Sequence, residues 1–185
     1  MAWWWVAAAW AVPDVVVVGN EDVTRHDLAA MIDLVMQTVI PRDMEARALA
    51  LATEGAAWTD HAAWLHDKSA YVATFSSPND LVVFQELSPI PGLEETDPLW
   101  VASREALVPL GQAAVNAGAW PLVVQAWGHR DGDPTYPAMF GDFLAMQARF
   151  VAGARAYRAA VAPAGVELVV APATEGARSV SANVR

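Results

Sequence analysis

The chain has 185 residues, 55% of them hydrophobic, with a mean hydropathy of +0.26. That is enough apolar material for one domain with a sizeable core and too much for an intrinsically disordered chain. A net charge of −10, from 21 acids against 11 bases, excludes a nucleic-acid partner, and the absence of cysteine excludes disulfides, thiolate metal sites and a cysteine nucleophile.

Residues 1–12 form an apolar segment carrying Trp3, Trp4, Trp5 and Trp10. Ala9-Trp10-Ala11 offers the small-x-small pattern of a signal cleavage site, but the segment is short and has no basic start, so an extra edge strand reads better than a secretory leader. No run approaches the ~20 apolar residues that cross a bilayer, and localisation stays open. Exposed, the tryptophans would be a sticky patch, so the segment is expected to pack on the domain or on a partner.

Val15–Val18 followed by Gly19-Asn20 predicts a strand buried on both faces of a parallel sheet. From Leu28 the apolar residues Met31, Ile32, Val35, Met36 and Val39 recur with helical spacing, with Thr24 and Asp27 as a capping-box-like start and Pro41 as a stop. Residues 44–54 are ambiguous: the alanines favour helix, whereas their alternation with larger residues permits a strand. Thr59 to Lys68 reads as a short helix, and Leu81 to Gln85 as a second buried strand after the turn-forming SSPND. Asp97 and Pro98 open a helix that Gly118 ends, with a kink expected at Pro109. Leu122 to Trp127 is a third strand. Met139, Phe143, Met146, Phe150 and Tyr157 stripe a long helix, Val166 to Val170 is a fourth strand, and residues 174–185 lose periodicity as a frayed tail. Strands alternating with helices of this length imply a three-layer α/β/α sandwich with a mostly parallel sheet, in one domain over residues 13–173.

DVVVVGNEDVTRHDLAAM, at residues 14–31, resembles the first block of the SGNH or GDSL hydrolases, in the branch reading roughly GNSYTxxNDLPxM. EGAAWTDHAAW around Gly55 resembles the second block, and DLVVFQELSPIPGL the VVLQEQS segment. VVQAWGHRDGDP with DFLAMQARFVAGARAY, and then VVAP, resembles TWxRRDGDP, MQxxLxxGYxxY and the strand that follows. The resemblance covers most of residues 14–172. It implies a flavodoxin-like hydrolase architecture, a strand within 44–54, and an ester-bearing or acetylated carbohydrate ligand at the edge formed by Glu21, Gly55, Gln85 and Trp127.

In that pattern a serine follows Gly-Asn, a glycine amide and a polar side chain bind the oxyanion, and a C-terminal DxxH supplies the base. Here Glu21 holds the serine position, Gly55 and Gln85 are the candidate oxyanion donors, and no histidine follows His129. Lacking the DxxH block, the chain resembles a C-terminally shortened or degenerate member, and the resemblance implies an impaired enzyme or a pseudoenzyme that keeps a ligand cleft. An alternative is an active hydrolase with a rearranged site, using Ser88 or Glu21 as nucleophile and His26, His61 or His129 as base. A third is a non-catalytic binding or assembly module working through the tryptophan-rich segment. Glu21 and Asp22 would serve as an acid–base pair only if burial raised one pKa, and adjacent turn residues usually point apart into solvent. Trp127 offers a face for a sugar, with core packing as its ordinary role.

No cofactor or metal is expected. His61 and His66 are five apart, about 140° around a helix, so they cannot share a face as zinc ligands do. Asp131-Gly132-Asp133 lacks the downstream glutamate of a calcium loop and reads as a turn. Gly19-Asn20-Glu21 matches neither a dinucleotide fingerprint nor a P-loop.

Overall fold

A computed structural model describes residues 14–25, 27–39 and 47–172. The expectations for residues 1–12 and 174–185, and for His26 and Pro41, concern positions outside these residues. Five parallel strands form one sheet: β1 (Asp14–Gly19), β2 (Arg47–Ala52), β3 (Leu81–Phe84), β4 (Trp120–Val124) and β5 (Val169–Ala171), in the order β2-β1-β3-β4-β5. Between them run α1 (Glu21–Arg25), α2 (Leu28–Val39), α3 (Trp58–Asp67), α4 (Ser69–Phe75), α5 (Pro98–Asn116) and α6 (Phe143–Val161). This is the expected α/β class with a parallel sheet.

The strand order fixes where the helices go. Parallel crossovers are right-handed, so the leftward step from β1 to β2 puts α1 and α2 on one face, and the rightward steps from β2 through β5 put α3 to α6 on the other. The side chains agree. Val16, Val18, Val82, Phe84 and Val123 join Trp58, Leu107, Phe150 and Tyr157 in the main core, whereas Val15, Val17, Val23 and Val83 form a smaller one beneath Leu28, Ile32 and Met36. Each of Val15–Val18 is at most 4% exposed, a burial that contributes roughly 1.5–3 kcal/mol per side chain. The direction reverses between β1 and β3, which opens a crevice at their carboxyl ends, where such sheets bind ligands.

Asp97 caps α5 by accepting from the Leu99 N–H at 2.8 Å, and Asp142 caps α6 by accepting from Ala145 N–H at 2.8 Å. Pro109 leaves α5 one element rather than dividing it. On α6, a Cβ at Gly153 would overlap the Pro91 carbonyl oxygen, so glycine lets the helix lie against the tight turn Ile90–Gly92.

Several boundaries differ from expectation. The start read for α2 divides in two: α1 is a separate short helix, and Asp27, at φ 45°, accepts from the Ala30 N–H at the head of α2. The third strand begins at Trp120, through Pro121, and stops at Val124. Successive residues of a parallel strand address opposite neighbours: the Trp120 N–H bonds the Asp80 carbonyl beside β3, so the missing Pro121 N–H faces the β5 side, where pairing starts only at Leu122. The fourth strand is Val169–Ala171, because Val166 and Leu168 are buried in the helical core before a strand partner is in reach. Residues 47–52 form the strand that the resemblance implied.

Candidate functional site

The carboxyl ends of β1 and β3 lie side by side, Val18 opposite Phe84, so the next residues of each strand meet at the crevice. Asn20 is buried. Its N–H donates to the Gln85 Oε1 at 3.3 Å, and its own Oδ1 accepts from the Asp22 N–H at 3.0 Å, which starts α1 at Glu21.

Glu21 therefore stands at the first turn of α1, facing the loop after β2. There its Oε2 accepts from the Gly55 N–H at 2.9 Å. Gly55 adopts φ +69°, a left-handed conformation that glycine enters without strain. The Gly55 hydrogen bond, then that from the residue's own N–H, hold the Glu21 carboxyl below the usual carboxylate range; the Arg25 charge adds to this and burial opposes it. Glu21 is thus an anion at neutral pH. This direction removes it as the raised-pKa member of an acid–base pair with Asp22.

Gln85 is turned inward. Its Oε1 accepts from Asn20, and its Nε2 donates to the Glu86 carbonyl at 2.9 Å and to the Asp22 Oδ2 at 3.3 Å. Both amide protons are engaged, so the side chain orders the β1–β3 edge and has no proton left for a ligand oxyanion. Asp22 and Gln85 also line a cavity of about 70 Å³ with Ser88, Val124, Ala126, Trp127 and His129. The Ser88 Oγ is buried without a hydrogen-bond partner. Trp127 is 51% exposed, so it is a rim residue and not core. Gly55 is not on that cavity's wall; Glu21 bridges toward it from α1.

The other candidates separate. His61, on α3, is fully buried with Nδ1 2.5 Å from the Tyr71 hydroxyl; burial lowers its pKa to about 4 against the opposing effect of the Gly19 backbone at the end of β1, so it is a neutral buried residue beneath that strand end. His66 lies in a groove between α3, α4 and α5. Asp133 accepts from the Thr135 N–H at 2.8 Å and Asp131 pairs with Arg130, the turn expected of that loop; no cluster of metal-ligating side chains occurs among the described residues.

One group beside the site escaped sequence reasoning. Glu86, 2% exposed, accepts from the Trp58 N–H at 3.0 Å, the Leu87 N–H at 2.7 Å and the Ser103 hydroxyl, which also bonds the Tyr157 hydroxyl at 2.9 Å. Burial pushes its pKa up to about 7 against these donors. The signal was period two: Val82, Phe84 and Glu86 share the face that looks into the helical core.

No protein-family profile matches the chain, and no curated protein matches it. Solved structures do. A protein assigned as an SGNH hydrolase from Slackia heliotrinireducens superposes with a TM-score of 0.70 at 20% identity, covering 91% of this chain and 83% of its own. The fold is that of the SGNH hydrolases. A catalytic mutant of an acetylxylan esterase from Geobacillus stearothermophilus has a TM-score of 0.55 at 9% identity, covering 95% of this chain and 82% of its own. A GDSL-like lipase from Bacteroides thetaiotaomicron reaches 0.51 at 11% identity over 88% and 69%. At such identities the likeness is one of architecture.

Proposed function

We propose that this chain is an SGNH-fold domain whose hydrolytic site has been disabled while the adjoining crevice still accepts an ester-bearing or acetylated carbohydrate. The observation that carries the reading is the bond from the Gly55 N–H to the Glu21 carboxylate. An oxyanion-type donor works by being free to stabilise charge that develops on a substrate carbonyl. With a resident carboxylate on it, the donor is already satisfied and the site carries a negative charge where a second one would have to form. Trp127, half exposed beside the cavity, supplies a face for a sugar ring, and the acetylxylan esterase among the similar structures makes an acetylated xylo-oligosaccharide the first ligand to try.

A second reading has its own observation. Ser88, His129 and Asp22 share the walls of one small cavity, and the Ser88 hydroxyl has no partner. Those are the residue types of a displaced nucleophile, base and orienting acid. Hydrolysis of p-nitrophenyl acetate by purified protein separates the two. The inactive reading expects no turnover above buffer and binding of acetylated xylo-oligosaccharide by calorimetry. Turnover by the unaltered chain that vanishes in Ser88→Ala and in His129→Ala would transfer the assignment to the rearranged hydrolase.

A further inference from the structure

Glu86 takes hydrogen bonds from both sides of the crevice. Its Oε1 accepts from the Trp58 N–H at 3.0 Å and from the Leu87 N–H at 2.7 Å. Trp58 opens α3 three residues after Gly55, the donor to Glu21, and Leu87 precedes Ser88 on the cavity wall. One carboxyl oxygen thus ties the loop after β2 to the loop after β3. The other oxygen, Oε2, meets the Ser103 hydroxyl of α5, which lies 2.9 Å from the Tyr157 hydroxyl of α6. The Tyr157 ring stacks on Trp100 at 5.3 Å and meets Trp58 edge-on at 5.0 Å, so packing holds the ring in place and leaves the protons as the movable part.

Those protons have two arrangements. With Glu86 ionised, Tyr157 donates to Ser103 and Ser103 donates to Oε2. With a proton on Oε2, the carboxyl donates to Ser103 and the Ser103 proton turns to Tyr157. The same proton weakens Oε1 as an acceptor, because a hydrogen bond to a charged oxygen is roughly twice as strong as one to a neutral oxygen. We propose that Glu86 is the positioning residue of the crevice: its proton sets the direction of the chain through Ser103 and Tyr157 and how firmly the Gly55 and Ser88 loops are held together. The loops are firm when the carboxyl is ionised and relaxed when it is protonated. Asp60 is the charge that faces it from α3, and it opposes ionisation; α5 brings the neutral Ser103 hydroxyl; burial pushes the Tyr157 hydroxyl of α6 up, so that group keeps its proton. The consequence for ligand binding rests on the function proposed above, whereas the coupling of the loops rests on the hydrogen bonds alone.

Amide NMR of the full chain without ligand, from about pH 5.5 to about 8.5, tests the coupling above the range in which the Glu21 carboxyl titrates. The N–H signals of Trp58, Leu87, Gly55 and Ser88 should move with one common midpoint near 7. Glu86→Gln, whose amide donates to Ser103 as the acid does, should hold all four at their low-pH positions. If that variant does not fold, Ser103→Ala decides: it keeps both bonds to Oε1 and removes a donor that favours the ionised form, so the common midpoint should rise. Movement of Trp58 and Leu87 while Gly55 and Ser88 stay still would overturn the proposal, since the carboxyl would then not govern the loops. A step that survives in Glu86→Gln, or a midpoint unmoved in Ser103→Ala, would overturn it too. Calorimetry with acetylated xylo-oligosaccharide separates this from the ligand reading: the parent's preference for the upper end of the pH range over the lower should shrink about threefold in Glu86→Gln. An undiminished preference would refute the coupling, whereas no binding at any pH would sink the ligand reading and leave the amide shifts to decide the coupling.

Discussion

Glu86 and His61 are buried groups whose titration is moved in opposite senses, and replacing either should tilt the stability of the fold with pH. Glu86 goes from 4.5 to about 7 on folding, so between those values the native state keeps a proton that the unfolded chain releases. Its contribution is complete below pH 4.5 and is lost as the pH rises through 7. His61 goes from 6.5 to about 4, so there the unfolded chain holds the extra proton, and stability is lost as the pH falls from 6.5 toward 4. Each group changes stability by about 1.4 kcal/mol per pH unit inside its window, or ~3 kcal/mol across it. Between pH 4.5 and 6.5 the two slopes oppose and cancel.

Glu86→Gln should break that balance without breaking the fold. The Gln carbonyl still accepts from Trp58 and Leu87, its amide donates to the Ser103 oxygen, and the Ser103 proton turns to Tyr157. Measured by urea unfolding at pH 5, 5.75 and 6.5, the difference between this variant and the parent should grow with pH by about 1.4 kcal/mol per unit in the variant's favour. His61→Gln should give the reverse slope. Glu86→Ala, which strands two buried N–H groups and a hydroxyl, should cost about 3–5 kcal/mol at any pH in this range. Parallel stability curves for the parent and Glu86→Gln would refute the reasoning, because they would show that this carboxyl does not change its protonation on folding.

Gly55→Ala must hold a Cβ at φ +69°, which costs about 1–2 kcal/mol and should appear as a lowered Tm in calorimetry. Glu21, with its pKa held down, contributes stability above its ordinary value that is lost as the pH falls below it; NMR titration of the Gly55 amide should therefore show a midpoint below 4.5, absent in Glu21→Gln. Trp127→Ala should weaken acetylated xylo-oligosaccharide binding roughly three- to tenfold in calorimetry while leaving Tm unchanged, since the side chain is half exposed.

Strong periodicity made part of the fold legible. Four valines before Gly-Asn and LVVF after a turn cluster each have one physical reading, and β1 and β3 follow from them; the spacing from Leu28 to Val39 gives the helix α2, but of its apolar residues Leu28, Ile32 and Met36 pack on the sheet whereas Met31, Val35 and Val39 are exposed. Residues 47–52 had no such signature, because β2 is an edge strand in which only Leu51 is buried, so alternating alanine carries no inside–outside contrast. α4 was invisible for a related reason: Tyr71 is its single buried residue, and one anchor makes no period. At the site, the sequence placed Glu21 and Gly55 in separate blocks but could not show that the Glu21 carboxylate accepts a hydrogen bond from the Gly55 N–H across 34 residues. Nor could it show that the Gln85 amide is spent on Asp22 and Glu86, since that depends on a strand end turning its side chain inward.

These contacts bear on whether one substitution could restore hydrolysis. Glu21→Ser would release the Gly55 N–H and install a hydroxyl, two of the three parts a serine hydrolase needs. The third is an imidazole within reach of that hydroxyl. Among the described histidines, His61 is buried with Nδ1 against Tyr71 and its pKa lowered to about 4, a weak base; His66 lies in the groove beside α4; and His129 lines the cavity with Asp22 and Ser88, a wall that does not include Gly55. Removing one member of an assembled triad costs on the order of 10⁴-fold or more in rate, so Glu21→Ser alone should bind a boronate or other oxyanion mimic better than the parent while hydrolysing p-nitrophenyl acetate no faster. A gain in turnover above about a hundredfold would mean that a base does reach residue 21, and the account of the site as disabled at two points, nucleophile and base, would have to be abandoned.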